Sequence, residues 1–158
     1  MIIIPARLKS TRFPNKILIP IGGIPMVIRV AQIAKEIDDV VIAADEKSIQ
    51  EVCQKYHFQS ILTQNTHNSG TDRIAECARI LKLPPKELII NVQGDEPFLE
   101  VEVIATLKIK MQVVIPLATA TSEIDYPIPI AIKAIAGVVP TYFQGTNTID
   151  DNFVIPLI

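Results

Sequence analysis

Arg7, Lys9, Arg12 and Lys16 put four positive charges into the first sixteen residues, where no acid occurs, and Ser10 and Thr11 add hydroxyl donors between them. Cations spaced along one loop suit an anion with several oxygens, and a polyphosphate is the commonest such ligand. A second candidate is Asp95, within Gln93-Gly94-Asp95-Glu96-Pro97. The glycine permits a close or unusual backbone path that aims the carboxylate into a cleft. Facing Arg7, Arg12 and Lys16, that carboxylate would offer oxygen to a divalent metal while the cations hold phosphates. Glu96 could be the ligand instead, although Pro97 restricts it to extended conformations. The third constellation is Ser69-Gly70-Thr71-Asp72-Arg73. A glycine before a helix exposes backbone N–H groups to an anion, and Arg73 could clamp a carboxylate bidentately. Each has a plainer reading: a solvated basic loop, an ordinary turn, and a helix cap with Asp72 serving the dipole. Asp45 reads in the same way, as the cap of the helix that follows it.

The elements that must position these residues alternate. Ile2, Ile3 and Ile4 signal a short buried strand, and Pro5, which lacks an N–H, stops its ladder so that the basic loop begins. Ile17 to Ile21 is a short apolar segment broken at Pro20, Gly22-Gly23 a turn, and Pro25 suits the first turn of a helix carrying Met26, Val27, Val30, Ala34 and Ile37. Asp39 to Ala44 reads as a second strand, and Ile49, Val52, Cys53 and Tyr56 as one face of a second helix. Ser60 to Thr63 is a third strand, and Gln64 to Gly70 a loop. Thr71 is expected to cap a helix bearing Ile74, Cys77, Ala78 and Leu81, which Pro84-Pro85 ends. Glu87 to Val92 is a fourth strand that leads to Asp95. Val101 to Lys110 then reads as a helix and Met111 to Leu117 as a strand, after which Pro127, Pro129, Pro140 and Pro156 interrupt apolar runs of no clear period. Such alternation predicts an α/β protein, a mainly parallel sheet between two helical layers, with ligands beyond the carboxyl ends of the strands.

At 158 residues the chain fits one domain, since a chain of this size buries about 70% of its unfolded surface. A formal charge of −2 gives no global attraction to nucleic acid or to an anionic membrane, so phosphate binding must be local. Cys53 and Cys77 fall on apolar helix faces and, with His57 and His67, match no metal-ligand spacing. The opening apolar run is too short for a signal peptide and no stretch reaches the length of a membrane span, which points to the cytoplasm.

Ile4-Pro5-Ala6-Arg7, Ser10-Thr11-Arg12, Pro14 and Lys16, then Gly23-Ile24-Pro25-Met26, Ser69 to Arg73, and Asn91 to Pro97 follow the order seen in 3-deoxy-manno-octulosonate cytidylyltransferases. The sequence resembles that family over roughly residues 1–110. The resemblance implies a Rossmann-like nucleotidyltransferase fold, a three-layer sandwich with a mixed, mainly parallel sheet. It implies transfer of CMP from CTP to the sugar acid Kdo, with release of pyrophosphate, for lipopolysaccharide synthesis. Arg7, Arg12 and Lys16 would hold the triphosphate and stabilise the departing pyrophosphate, and Asp95 would bind Mg²⁺. Ala6, Ser10, Thr11, Arg73 and Gln93 would contact the nucleotide or the sugar acid. A homodimer is implied as well.

Family members are longer, and their later part carries a dimerisation region and a second metal-binding aspartate in a Gly-Val-Asp-Thr-type segment. Here Gly145-Thr146-Asn147-Thr148 puts Asn147 where the acid should stand, and the usual Asn-x-Val-Lys strand is reduced to Ala131-Ile132-Lys133. The sequence is therefore read as one domain whose residues 1–110 hold CTP and whose residues 111–158 are an incomplete sugar-binding and dimerisation part. Alternatives are a cytidylyltransferase for a related sugar acid, an inactive nucleotide-binding protein of the same fold, and a nucleic-acid-binding module. The last lacks an aromatic platform beside its basic loop.

Overall fold

The computed structural model describes residues 1–9, 13–84, 87–109, 130–135 and 138–143. Its centre is β1 (Ile2–Ala6), in which the side chains divide between two faces with the period of a strand. Ile2, Ile4 and Ala6 enter a core with Val27, Ile28 and Val30 of α1 (Met26–Lys35), Ile49 and Cys53 of α2 (Lys47–Lys55), and Ile104 and Leu107 of a helix over 101–109. Ile3 faces the other way, onto Ile74, Cys77 and Ala78 of α3 (Gly70–Ile80). The outcome is a sheet between two helical layers, as the alternating sequence predicts.

Two-residue strands β2 (Pro20–Ile21) and β3 (Ile24–Pro25) form a hairpin outside the main sheet. Its Gly22-Gly23 turn has φ of 57° and 81°, the left-handed pair that a two-residue hairpin requires. The main sheet contains β4 (Val40–Ala44), β5 (Gln59–Leu62), β6 (Leu88–Val92), β7 (Ile130–Ile135) and β8 (Val138–Phe143) in the order β5-β4-β1-β6-β7-β8. All neighbours are parallel except β7 and β8, so the sheet is mixed. The chain steps outward from β1 to β4 and β5, then returns to lay β6 on the opposite side of β1. The switch point of the sheet therefore lies between β1 and β6.

Pro5 sharpens that opening. Ile2 donates to Asp39 O (2.8 Å) and Ala6 O accepts from Asp45 (3.2 Å), so these residues turn their backbone toward β4. By alternation Ile3 and Pro5 face β6. Pro5 has no N–H to give, and the β1–β6 pairing is confined to Ile2↔Ile90 and Ile3↔Asn91, whereas β1 and β4 pair along all of β1.

Three local expectations change. Ser69, not Thr71, caps α3, because its Oγ is the acceptor for the Asp72 N–H (3.1 Å). Pro25 closes β3 instead of entering the helix, and Met26 opens α1. The Ile17–Ile21 segment breaks before Pro20 and not at it, since a 3-10 turn over Lys16–Leu18 precedes β2, which contains Pro20. The strand expected over Met111–Leu117 and the Gly145–Asp151 segment lie outside the described residues.

Cys53 and Cys77 are buried free thiols, pushed up by burial to about 11 and about 12, in keeping with their reading as small hydrophobes. Asp38 ties the 101–109 helix to the start of β1. Its Oδ2 accepts from Lys108 Nζ (2.8 Å) and from the Met1 ammonium (3.2 Å), and its Oδ1 from the Asp39 N–H (2.7 Å). Burial pushes this carboxyl up, but these three donors outweigh it and bring the pKa from 3.8 to about 2. A lowered carboxylate pKa stabilises the folded state fully above the unfolded value and loses that contribution as pH falls through the folded one. We therefore expect Asp38→Asn to cost about 2 kcal/mol at pH 6 and progressively less between pH 4 and pH 2, read from urea midpoints. An unchanged difference across that range would contradict the assignment.

Candidate active site

Beyond the carboxyl ends of β1 and β6 lies a cavity of about 730 Å³ whose lining includes Arg7, Lys16, Ser69, Arg73, Gln93 and Asp95. Residues from all three constellations thus meet at the switch point. Gly94 explains how the β6 side reaches it. A Cβ at this position would stand 2.9 Å from Ile17 Cδ1, 3.2 Å from Ile4 Cγ2 and 3.3 Å from Pro5 O. Its φ is not in the left-handed region. The residue is required for close approach, and of the two expected roles only that one holds.

The same approach brings Asp95 beside Lys16. Lys16 Nζ lies 3.0 Å from Asp95 Oδ2, with 40% and 48% of the two side chains exposed. A solvated pair of this kind contributes at most about 1 kcal/mol, so either partner can exchange the other for a ligand at little cost. Arg7 is exposed on the cavity wall and pairs with no carboxylate among the described residues. Gln93 donates from Nε2 to Asn91 Oδ1 (2.8 Å), which ties its amide to the end of β6.

Arg73 also lines the cavity but is 3% exposed and heavily engaged. One guanidinium nitrogen donates to Thr63 Oγ1 (2.6 Å) and Gln64 O (3.2 Å), while the other lies 3.7 Å from Asp45 Oδ2. Burial lowers its pKa, Asp45 and Glu76 oppose that, and nearby Arg7 adds to it. Behind it, Glu76 accepts from the Gln64 N–H (2.9 Å) and pairs with His67 Nε2. Burial pushes Glu76 up, yet these partners outweigh it and leave the carboxyl below its ordinary value. Arg73 is thus a buried hub, fixed in place before any ligand arrives.

Asp45 does not cap α2, whose N-cap is Glu46. Its carboxylate turns back toward β1, where Oδ1 accepts the Leu8 N–H at 2.9 Å. Thr63 was invisible as a site residue in the sequence, because it belongs to no motif, and Asp45 was read there as a helix cap. The available signal was position: Asp45 is a polar residue directly after a fully apolar strand, at the ligand end of the sheet. Ala6 is buried in β1 with its carbonyl committed to Asp45, so it brings no side chain to the cavity surface. Ser10, Thr11 and Arg12 lie outside the described residues.

Comparison with known proteins identifies the family. A family described as Cytidylyltransferase matches residues 1–112, and one described as Sporulation protein YunB matches residues 98–142. The chain is 62% identical over 112 residues to a 3-deoxy-manno-octulosonate cytidylyltransferase of Wolinella succinogenes, covering 71% of this chain and 46% of that protein. It is 56% identical over 108 residues to the protein of the same name from a Nitratiruptor species, covering 68% and 45%. A solved CMP:2-keto-3-deoxy-manno-octonic acid synthetase complexed with CTP superposes with a TM-score of 0.66 at 35% identity, over 71% of this chain and 46% of that one. The chain spans about half the length of the curated relatives it matches. The Cytidylyltransferase match covers well over half of the chain, and the chain belongs to the cytidylyltransferase family.

Proposed function

We propose that the cleft binds CTP and that the protein transfers CMP to the sugar acid Kdo, releasing pyrophosphate, as a step of lipopolysaccharide synthesis. The observation that carries this reading is the gathering of Arg7, Lys16 and Asp95 in the lining of one cavity. The relatives' names and the CTP complex of the solved synthetase support it. In the reaction the anomeric hydroxyl oxygen of Kdo forms a bond to the α-phosphorus, the bond from that phosphorus to the β-phosphate oxygen breaks, and the hydroxyl proton is lost. Arg7 and Lys16 bind phosphate oxygens and offset the charge that grows on the leaving pyrophosphate. Arg12 belongs to the same loop. Lys16 exchanges Asp95 for phosphate as the nucleotide enters. Gln93 and Arg73 shape the wall against which the nucleotide or sugar acid lies, and Ala6, Ser10 and Thr11 complete the strand end and loop around it. Catalysis on this account is positioning and charge neutralisation.

Magnesium fits the donors present. Asp95 is an accessible carboxylate in the cavity, and among the described residues no cluster of three or more His, Cys, Asp or Glu could cage a metal. Mg²⁺ suits such a site because it is held by one or two carboxylates with substrate phosphates and water. Asp95 would hold it, and the ion would supply charge neutralisation at the phosphates. No helix among the described residues is long and apolar enough to cross a membrane. A cytoplasmic homodimer is part of the same proposal.

The test is pyrophosphate release from CTP with Kdo and Mg²⁺, repeated with EDTA. Release that needs both the sugar acid and the metal is expected; release indifferent to Kdo would contradict the acceptor. Binding of CTP without release would limit this chain to holding the nucleotide.

A further inference from the structure

We propose, resting on the nucleotide reading above, that Asp45 is a positioning residue that aims Arg7 into the cleft. Asp45 brackets Arg7 on both sides along the chain: its own N–H donates to Ala6 O (3.2 Å), and its Oδ1 accepts from the Leu8 N–H (2.9 Å). The Arg7 backbone is therefore clamped between two bonds from one residue, the one directly after the neighbouring strand β4. The hold extends further, because Leu8 O accepts from the Asn15 N–H (3.2 Å), closing the neck of the basic loop immediately before Lys16. Both cations of the described loop that face the cavity are thereby referred to β4.

The carboxylate is held from behind. Asp45 is 7% exposed and Arg73 3%, with the guanidinium 3.7 Å from Oδ2 and its other nitrogen fixed by Thr63 and Gln64. Asp45 caps no helix, so among the described residues the cost of burying its charge is offset through Leu8 and Arg73. The arrangement also explains why Arg73 sits in the wall of an anion-binding cleft yet has its donors engaged: it orients the residue that orients Arg7.

The experiment is a double-mutant cycle on the full chain, titrating CTP and, separately, inorganic tripolyphosphate by calorimetry. Loss of the Leu8 anchor in Asp45→Ala should weaken binding about tenfold, the scale of one buried hydrogen bond left unmade. Asp45→Asn keeps an oxygen acceptor for Leu8 and should recover binding to within about threefold of the wild type. In an Arg7→Ala background, Asp45→Ala should cost almost nothing more, because it acts through Arg7. Additive losses would show a merely structural role and overturn the proposal. Amide exchange at Leu8, measured without nucleotide, should speed about tenfold in Asp45→Ala but not in Asp45→Asn, and unchanged exchange would also overturn it. Should Asp45→Ala not fold, Asp45→Ser replaces it in both measurements. Wild-type protein that takes tripolyphosphate but not CTP would sink the nucleotide reading alone, and the cycle would still be read with tripolyphosphate.

Discussion

Asp95→Asn is expected to abolish the magnesium dependence of CTP binding and to lower turnover by at least about a hundredfold, while the melting temperature stays within about 3 °C of the wild type. The two halves of this expectation have separate causes. Asp95 is half exposed and its one ion pair among the described residues, to Lys16 at 3.0 Å, is solvated, so its loss removes at most about 1 kcal/mol of stability. Its value lies in the oxygen it offers to a cation among phosphates, which an amide replaces poorly. Calorimetric titration of CTP with and without Mg²⁺, beside a thermal melt, checks both halves. Binding that still responds to Mg²⁺ in the variant would move the metal to another residue, Glu96 being the nearest carboxylate in the chain.

Gly94→Ala should act in the opposite manner, on structure first and on binding through it. The added methyl meets Ile17 Cδ1 at 2.9 Å, Ile4 Cγ2 at 3.2 Å and Pro5 O at 3.3 Å. Ile4 and Ile17 are core residues and Pro5 O is backbone, so no contact can give way by swinging a side chain into solvent. Overpacking of this kind costs typically about 1–3 kcal/mol, a fall in melting temperature of roughly 3–10 °C for a domain of this size. Because Ile17 follows Lys16, its displacement carries Lys16 away from Asp95, and CTP affinity should fall about tenfold. Scanning calorimetry and a CTP titration read the two effects. An unshifted melt would show that the strand ends are looser than the contacts imply.

These variants also mark what was legible in the sequence. The strands and helices that hold the site were readable because Ile2–Ile4 and Val40–Ala44 are unbroken apolar runs, Leu88–Val92 is apolar but for Asn91, and the helices carry apolar residues at regular spacing. Asp95 was readable as a candidate because it follows such a strand through a glycine. What escaped was what depends on two distant segments meeting. The crowding at Gly94 involves Ile4, Pro5 and Ile17, far from it in the chain, so a role in close approach could not be told from one in backbone conformation. Asp45 satisfies every local criterion for a helix cap, yet its carboxylate turns to Leu8 because β4 lies beside β1 in register. Ser69 took the cap assigned to Thr71 because two hydroxyl residues flank Gly70, and the helix started at the earlier of the two. Tertiary geometry decided each of these cases where local preference allowed more than one answer.

The most direct test of the central claim, a CTP site at the β1–β6 switch point, is amide hydrogen exchange with and without CTP and Mg²⁺. Nucleotide-dependent protection is expected at Arg7–Lys9, Lys16, Ser69–Arg73 and Gln93–Asp95, with α2 and β5 unchanged. Protection confined to other surfaces, or none at saturating CTP, would contradict it.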